Sequence, residues 1–472
     1  MTSRTDLRAV VKAYDVRGVV PDQWGPPEAR ALGAATVDVL QLDGSGHPVA
    51  LGYDMRPSSP ELVEAFADGV RDRGVDVVVI GLCSTDGLYY ASGVLDCPGA
   101  MFTASHNPAQ YNGIKLCRAG AKPVGQDTGL DAIRQRAQEY LRDGVPVSPD
   151  RGGRTEQDLL AGYAQYLRDL VDVSGGRRLK VVVDAGNGMG GHTVPAVLGV
   201  AAGLPALPLD VVELYFELDG TFPNHEANPL EPENLRDLQA AVLEHEADLG
   251  LAFDGDADRC FVVDERGAPV SPSAVTALVA LREIAKERDA GREPVIIHNL
   301  ITSAVVPELV AAAGGTVLRT RVGHSFIKQE MADSGAVFGG EHSAHYYFRD
   351  FWGADTGMLA GLHVIAALQG SAGTLSDLVA DYEKYSASGE INSRVADVPA
   401  AVVRVRAAFA GRGSVDELDG MTVVGADGGP MWWFNLRASN TEPLLRLNVE
   451  AADTRTMETL RDEVLALVRE ES

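Results

Sequence analysis

The chain has 472 residues, among them 51 Gly and 24 Pro, with 45% hydrophobic and 23% charged positions. That composition excludes collagen-like, coiled-coil and disordered classes, and at roughly 100–200 residues per domain it gives three or four cores. Lys and Arg number 41 against 67 Asp and Glu, a formal net charge of −26. Such a field repels polyanions, so neither nucleic acid nor an anionic membrane surface is expected as a partner. Cys83, Cys97, Cys117 and Cys260 form no C-x-x-C pair and no zinc or disulfide framework, and their rarity fits a reducing compartment. The charged N-terminal segment lacks the apolar core of a secretory leader, and no uncharged apolar run approaches the roughly 20 residues of a membrane helix. The expectation is a cytoplasmic protein.

Strands and helices alternate along the chain. The apolar run Val49–Gly52 predicts a strand, and Glu61–Arg73 predicts a helix opened by Ser58, Ser59, Pro60 and Glu61 as cap, first-turn proline and capping-box acid. Strands follow at Val75–Ile80 and Gly99–Phe102, then a helix at Leu130–Arg142. Asp143–Thr155 reads as a Gly- and Pro-rich linker. Next come strands at Lys180–Asp184 and around Asp210–Phe216, a helix over Glu233–Glu246, and the strands Leu249–Phe253 and Cys260–Val263. A punctuated stretch, Asp264–Pro272, precedes a helix at Val275–Glu287 and strands at Val295–His298 and Ala336–Phe338. The polar segment Ser386–Arg394 reads as a boundary. Beyond it, Val402–Phe409, Met421–Val424, Trp432–Leu436, Leu444–Val449 and a closing helix read as a small α+β domain. Alternating strand and helix predicts α/β layers with mostly parallel sheets.

Five motifs carry candidate chemistry. Asp254, Asp256 and Asp258 stand at alternate positions of a Gly-loosened loop before Arg259, directly after a strand. Three carboxylates so close converge on one hard divalent cation, Mg²⁺ being the default for phosphate chemistry, whereas without a cation they repel. An EF-hand is excluded because its sixth position, which needs glycine, holds Arg259. Thr103-Ala104-Ser105-His106-Asn107-Pro108 sets a serine on a turn beside a His and ahead of Lys115, a possible nucleophile, although the same residues also make an ordinary polar turn. Gly186-Asn187-Gly188-Met189-Gly190-Gly191 matches G-x-G-x-x-G after a strand. Asp184 would crowd a pyrophosphate there, and a tight turn with close strand–helix packing explains the glycines as well. Gly340-Glu341-His342-Ser343-Ala344-His345 combines an acid, a hydroxyl and two imidazoles, suited to sugar hydroxyls and proton transfer. Arg437-Ala438-Ser439-Asn440-Thr441-Glu442-Pro443 with Arg446 makes either a phosphate cradle or a capped turn.

In this order the motifs closely resemble the α-D-phosphohexomutase family, from Tyr14-Asp15-Val16-Arg17-Gly18 to the last helix. The G-E-x-S-[GA]-H loop and Tyr385–Arg394 are most similar to the bacterial mannomutase branch. The resemblance implies three related mixed α/β domains plus a smaller α+β C-terminal domain around a central cleft. It divides the chain at 1–150 with the phosphoserine loop, 151–264 with the metal loop, 265–373 with the sugar-recognition loop and 374–472 with the phosphate loop. The implied reaction interconverts mannose 6-phosphate and mannose 1-phosphate through a phosphoserine and a hexose 1,6-bisphosphate that also serves as primer. A dual mannose/glucose mutase is the alternative, with a glucosamine mutase behind it. Ser105 corresponds to the phosphoserine and, with Asp254, Asp256 and Asp258, to the ligands of one Mg²⁺ per chain. Arg17, Lys115 and Arg259 correspond to cations around the moving phosphoryl, and Lys115 and His345 to a general base and acid, a role that needs a depressed lysine pKa. Tyr14, Gly323, His324, Glu341, Ser343, His345, Arg437, Ser439, Asn440, Thr441 and Arg446 correspond to substrate contacts. Hexose phosphates are the implied partners, and a monomer or weak dimer is expected. The chain departs from many relatives at Tyr53, where they carry arginine, and at His298, Asn299 and Arg321, in segments where they carry lysine.

Overall fold

The computed structural model describes residues 6–426, 428–438 and 444–470. It comprises two compact units, one of Met1–Val270 with Ser343–Leu378, the other of Ser271–His342 with Val379–Ser472.

The first unit holds two α/β sheets. In one, the strands run Val16–Val19, Tyr111–Arg118, Gly99–Phe102, Val49–Tyr53, Val77–Leu82 and Arg154–Glu156, with Lys122–Pro123 paired to the second of these. Its four strands from Gly99–Phe102 to Arg154–Glu156 are parallel, and their partner at Tyr111–Arg118 is antiparallel. In the other, Leu209–Leu214, Leu179–Asp184 and Leu249–Phe253 are parallel, and Cys260–Asp264 turns back antiparallel. Near-continuous burial of Leu179–Asp184 and Leu249–Phe253 explains their unbroken apolar runs. A hairpin, Tyr346–Phe348 with Ala354–Asp355, leads into the helix Gly357–Gln369. The second unit contains the parallel strands Thr316–Thr320, Val295–Asn299 and Phe338–Gly340. Its C-terminal sheet is antiparallel, ordered Ser386–Arg394, Leu444–Ala451, Trp432–Ala438, Met421–Gly425 and Gly413–Asp416, with helices Val398–Ala408 and Thr454–Arg469. Among the described residues no helix is long and apolar enough to cross a membrane.

Several elements differ from the sequence reading for identifiable reasons. Ser58 has helical backbone and makes no cap hydrogen bond. Its Oγ accepts instead from Asn112 Nδ2 at 2.9 Å, while Ser59 Oγ donates to Asp54 at 2.8 Å. A tertiary partner has taken the capping oxygen. Glu233–Glu246 is divided into a 3₁₀ turn, Pro232–Leu235, and a helix, Arg236–Glu244. The Asp143–Thr155 linker ends in the edge strand Arg154–Glu156, and Asp264–Pro272 folds back as a short hairpin onto Val262 and Val263. Ser386–Arg394, read from the sequence as a boundary, forms an edge strand, polar because most of it faces solvent.

The helices Pro26–Leu40 and Ser59–Asp72 cover the first sheet with almost no space between their backbones. A Cβ on Gly33 would lie 2.2 Å from the Phe66 carbonyl oxygen, and one on Gly69 would lie 2.0 Å from that of Arg30. We therefore expect Gly33→Ala to force the helices apart at an overpacking cost of about 1–3 kcal/mol. A lowered denaturant midpoint for the first unfolding transition checks this; an unchanged midpoint would contradict the close packing.

Candidate active site

The strand Gly99–Phe102 feeds a tight turn in which Ser105 takes left-handed backbone, φ +48°. A residue other than Gly, Asn or Asp rarely adopts that conformation unless its surroundings enforce it. They do so here. Ser105 N–H donates to Thr103 Oγ1 at 2.9 Å. The wholly buried Arg56 guanidinium spends its donors on the same loop: Nη2 on the Ser105 and Asn107 carbonyls at 2.8 and 2.7 Å, Nη1 on those of Pro108 and Tyr111 at 2.9 Å each. Its Nε reaches Asp54 at 3.1 Å. Arg17, from the strand Val16–Val19, donates to Asn107 Oδ1 at 2.6 Å and pairs with Asp15. Tyr14 lies half-buried in the bend just before that strand.

The aspartate loop meets this turn backbone to backbone, since a Cβ on Gly255 would stand 2.4 Å from the Ser105 carbonyl oxygen. It rests on the Gly186–Gly191 turn, where Met189 N–H donates to the Gly255 carbonyl at 2.9 Å. Asp184, the acid that argued against a dinucleotide, is occupied by Gly186 N–H at 2.8 Å and His225 Nε2 at 3.0 Å. That glycine motif supports the aspartate loop.

Asp254, Asp256 and Asp258 are 0–2% exposed, and each offers an oxygen within 4.8 Å of the others. Ser105 Oγ donates to Asp254 Oδ2 at 2.8 Å. Arg259 reaches the same oxygen through Nε and Nη2 at 2.9 and 2.6 Å, and its Nη2 lies 3.3 Å from Ser105 Oγ. Lys115 Nζ bridges Asp256 Oδ2 at 2.7 Å and Asp258 Oδ2 at 2.5 Å. Asp256 Oδ1 and Asp258 Oδ1 are buried and have no hydrogen-bond partner among the described residues. Convergent hard oxygens, two of them unspent, fit a divalent cation.

The charges are strongly coupled. Burial pushes the Asp254 carboxyl up against the pull of Arg259. Burial also opposes ionisation of Asp256, but Lys115 outweighs it and holds this carboxyl far below the usual range. Lys115 is half-buried, and although its desolvation works the other way, Asp256 and Asp258 raise it well above its ordinary value. In this arrangement it is an ammonium, and acting as a base would require those carboxylates to be engaged elsewhere. Burial and then the Arg259 charge push His106 down to about 2, so its neutral Nδ1 accepts from Arg259. His345 is joined to Arg259 by a backbone bridge, with Nδ1 3.0 Å from Ser343 Oγ and Nε2 3.7 Å from Asp258 Oδ1.

The remaining predicted residues belong to the second unit. Glu341, 2% exposed, accepts from Asn299 Nδ2 at 3.0 Å and from Gly323 N–H at 3.3 Å. Burial pushes its neighbour His298 down to about 4, leaving a neutral ring. Arg321 lies over the Phe326 ring at 4.7 Å. Arg437 and Arg446 face each other across paired strands and share Glu390, each at 3.2 Å, and the Nε of each finds no acceptor among the described residues. His324 opens the helix His324–Ser334, but its side chain lies outside the described set, as do Ser439, Asn440 and Thr441. Sequence reasoning passed over Arg56 and the ring of His106. The only signal for Arg56 was the Asp54-Met55-Arg56 spacing, which says nothing about the carbonyls it binds.

Comparison with known proteins agrees with this geometry. Four family models match in order: the phosphoglucomutase/phosphomannomutase alpha/beta/alpha domains I, II and III at residues 8–142, 161–267 and 272–385, and the C-terminal domain at 390–467. The chain belongs to the phosphoglucomutase/phosphomannomutase family and is an isomerase of the phosphohexomutase class. It is 43% identical over 462 residues to a Xanthomonas campestris protein named phosphohexose mutases, covering 97% of this chain and 98% of that one. A phosphomannomutase of Escherichia coli K12 is 40% identical over 464 residues, covering 96% and 98%. The crystal structure of a Burkholderia thailandensis phosphoglucomutase/phosphomannomutase family protein superposes with a TM-score of 0.85 at 30% identity, over 100% of this chain and 99% of that one.

Because Arg56 satisfies four carbonyls of the serine loop, Arg56→Lys leaves most of them without a donor. Displacing a reacting group by 1 Å can cost about 10²-fold in rate, and we expect a turnover loss of that order together with a lower melting temperature. Turnover within threefold of wild type would show that the loop holds itself.

Proposed function

We propose that this enzyme is a Mg²⁺-dependent phosphomannomutase, interconverting mannose 6-phosphate and mannose 1-phosphate through a phosphorylated Ser105. The observation that carries the reading is the Ser105 hydroxyl, 2.8 Å from Asp254 within the three-aspartate loop and within reach of Arg259. Relatives from Salmonella and Escherichia coli named phosphomannomutase support mannose as the substrate. The Xanthomonas name, phosphohexose mutases, favours a second reading in which glucose phosphates are also turned over.

In the proposed cycle the phosphoryl group leaves Ser105 Oγ for the free hydroxyl of a hexose monophosphate, whose proton passes to His345, or to Lys115 only where Asp256 and Asp258 are engaged elsewhere and leave it a neutral amine. The resulting 1,6-bisphosphate presents its other end to Ser105, the serine oxygen takes that phosphoryl back, the sugar oxygen it leaves regains the proton taken up in the first transfer, and the isomeric monophosphate departs. Arg259, Lys115 and Arg17 supply positive charge where the phosphoryl oxygens spread theirs, so positioning and electrostatics do most of the catalysis. When bound by Asp254, Asp256, Asp258 and the serine phosphate, Mg²⁺ neutralises further charge on the phosphoryl group. Glu341 is assigned to sugar hydroxyls. Arg437 and Arg446, with donors unspent, are assigned to the phosphate that does not react.

Ser105→Ala should abolish turnover while leaving the circular dichroism spectrum unchanged, and wild-type-like turnover would end this reading. Chelation by EDTA should abolish wild-type turnover and added Mg²⁺ restore it. Side-by-side kcat/KM for mannose 1-phosphate and glucose 1-phosphate distinguishes the two readings: a strong mannose preference names a phosphomannomutase, and comparable values a dual mutase.

A further inference from the structure

We infer that Thr85 is a positioning residue for the divalent cation, selecting which oxygen of Asp256 is offered to it. This rests on the reading of the aspartate loop as a metal site. Thr85 is the first residue of the helix Thr85–Val94 and is fully buried. Its N–H donates to the Asp256 carbonyl oxygen at 3.0 Å, and its hydroxyl donates to Asp256 Oδ2 at 2.5 Å. One residue thus holds both the backbone and the side chain of a single candidate ligand from across the chain.

The flanking residues leave Thr85 little freedom. Ser84 caps the helix, its Oγ accepting from Gly87 N–H at 3.2 Å. The buried Asp86 accepts from Tyr163 Oη at 2.7 Å and Thr356 Oγ1 at 2.6 Å, as well as from Ser84. This first turn is therefore pinned to three other segments.

A free carboxylate can rotate and offer either oxygen. Asp256 Oδ2 is saturated by Thr85 and Lys115, leaving Oδ1 without a hydrogen-bond partner among the described residues. The two donors are not equivalent. Lys115 is a cation that a divalent ion opposes by charge repulsion. The Thr85 hydroxyl is neutral, so it holds the carboxylate in place whether or not the ion is bound. Outer-shell partners of this kind typically contribute about 10–100-fold in metal affinity.

Thr85→Val tests the hydroxyl alone, because it keeps the side-chain shape and the backbone N–H bond. Mn²⁺ binding, followed by the loss of the free-ion electron paramagnetic resonance signal, should weaken about 10–100-fold in Thr85→Val. Thr85→Ser should bind within about threefold of wild type, restoring the donor. Turnover of Thr85→Val should need more Mg²⁺ but approach the wild-type rate at saturation. Melting curves in EDTA confirm that the variants are folded, and Thr85→Ala replaces Thr85→Val if the latter is not. A valine or alanine variant that binds Mn²⁺ within threefold of wild type, while Asp256→Asn loses it, would overturn the role of Thr85. Wild-type protein that fails to bind Mn²⁺ would instead overturn the metal site itself.

Discussion

Burial of three aspartates beside Lys115 and Arg259 is the constraint to which the rest of the first unit conforms. Taking a carboxylate out of water costs several kcal/mol even after relaxation, and only close opposite charges with good hydrogen bonds offset it. The aspartates and Arg259 are at most 2% exposed, and the two cations distribute their donors over all three carboxylates. The compensation is deliberately incomplete on one side. Two carboxylate oxygens remain buried without hydrogen bonds among the described residues, and the serine hydroxyl is drawn into the same cluster. Charge spent this way gives modest stability and a strong demand for further positive charge at one point. In the reaction proposed for this enzyme, phosphoryl transfer would use that demand.

Such a cluster works only if its backbones are placed to within fractions of an ångström. Gly255 allows the aspartate loop to touch the serine turn, Arg56 clamps that turn from beneath, and Met189 carries the aspartate loop from the other side. These residues have little chemistry of their own. They turn a flexible acid-rich loop and a serine in left-handed backbone into a preorganised arrangement, which is where an enzyme of this kind gains most of its rate.

What could be read from the sequence follows from which interactions are local. Asp254, Asp256 and Asp258 share one loop, and the strand–loop–strand signal around them is compositional, so both the loop and its flanking strands lie where the pattern places them. The Gly186–Gly191 turn was legible as a turn, but its role depends on a contact with Gly255 almost seventy positions away. Arg56 was illegible for the same reason: its acceptors are main-chain carbonyls, which every residue possesses. Ser58 misled because a local cap and a distant Asn112 compete for one oxygen, and the tertiary partner prevails. The strand at Ser386–Arg394 went unread because an exposed edge strand carries no apolar run to mark it.

The central claim is that this cluster makes Ser105 a phosphoryl carrier. The most direct measurement incubates the enzyme with Mg²⁺ and a hexose 1,6-bisphosphate, then maps phosphorylation by peptide mass spectrometry. The account predicts one phosphoryl group, on Ser105, that disappears when excess hexose monophosphate is added. Phosphate on another residue, or none in an enzyme that still turns over, would contradict it.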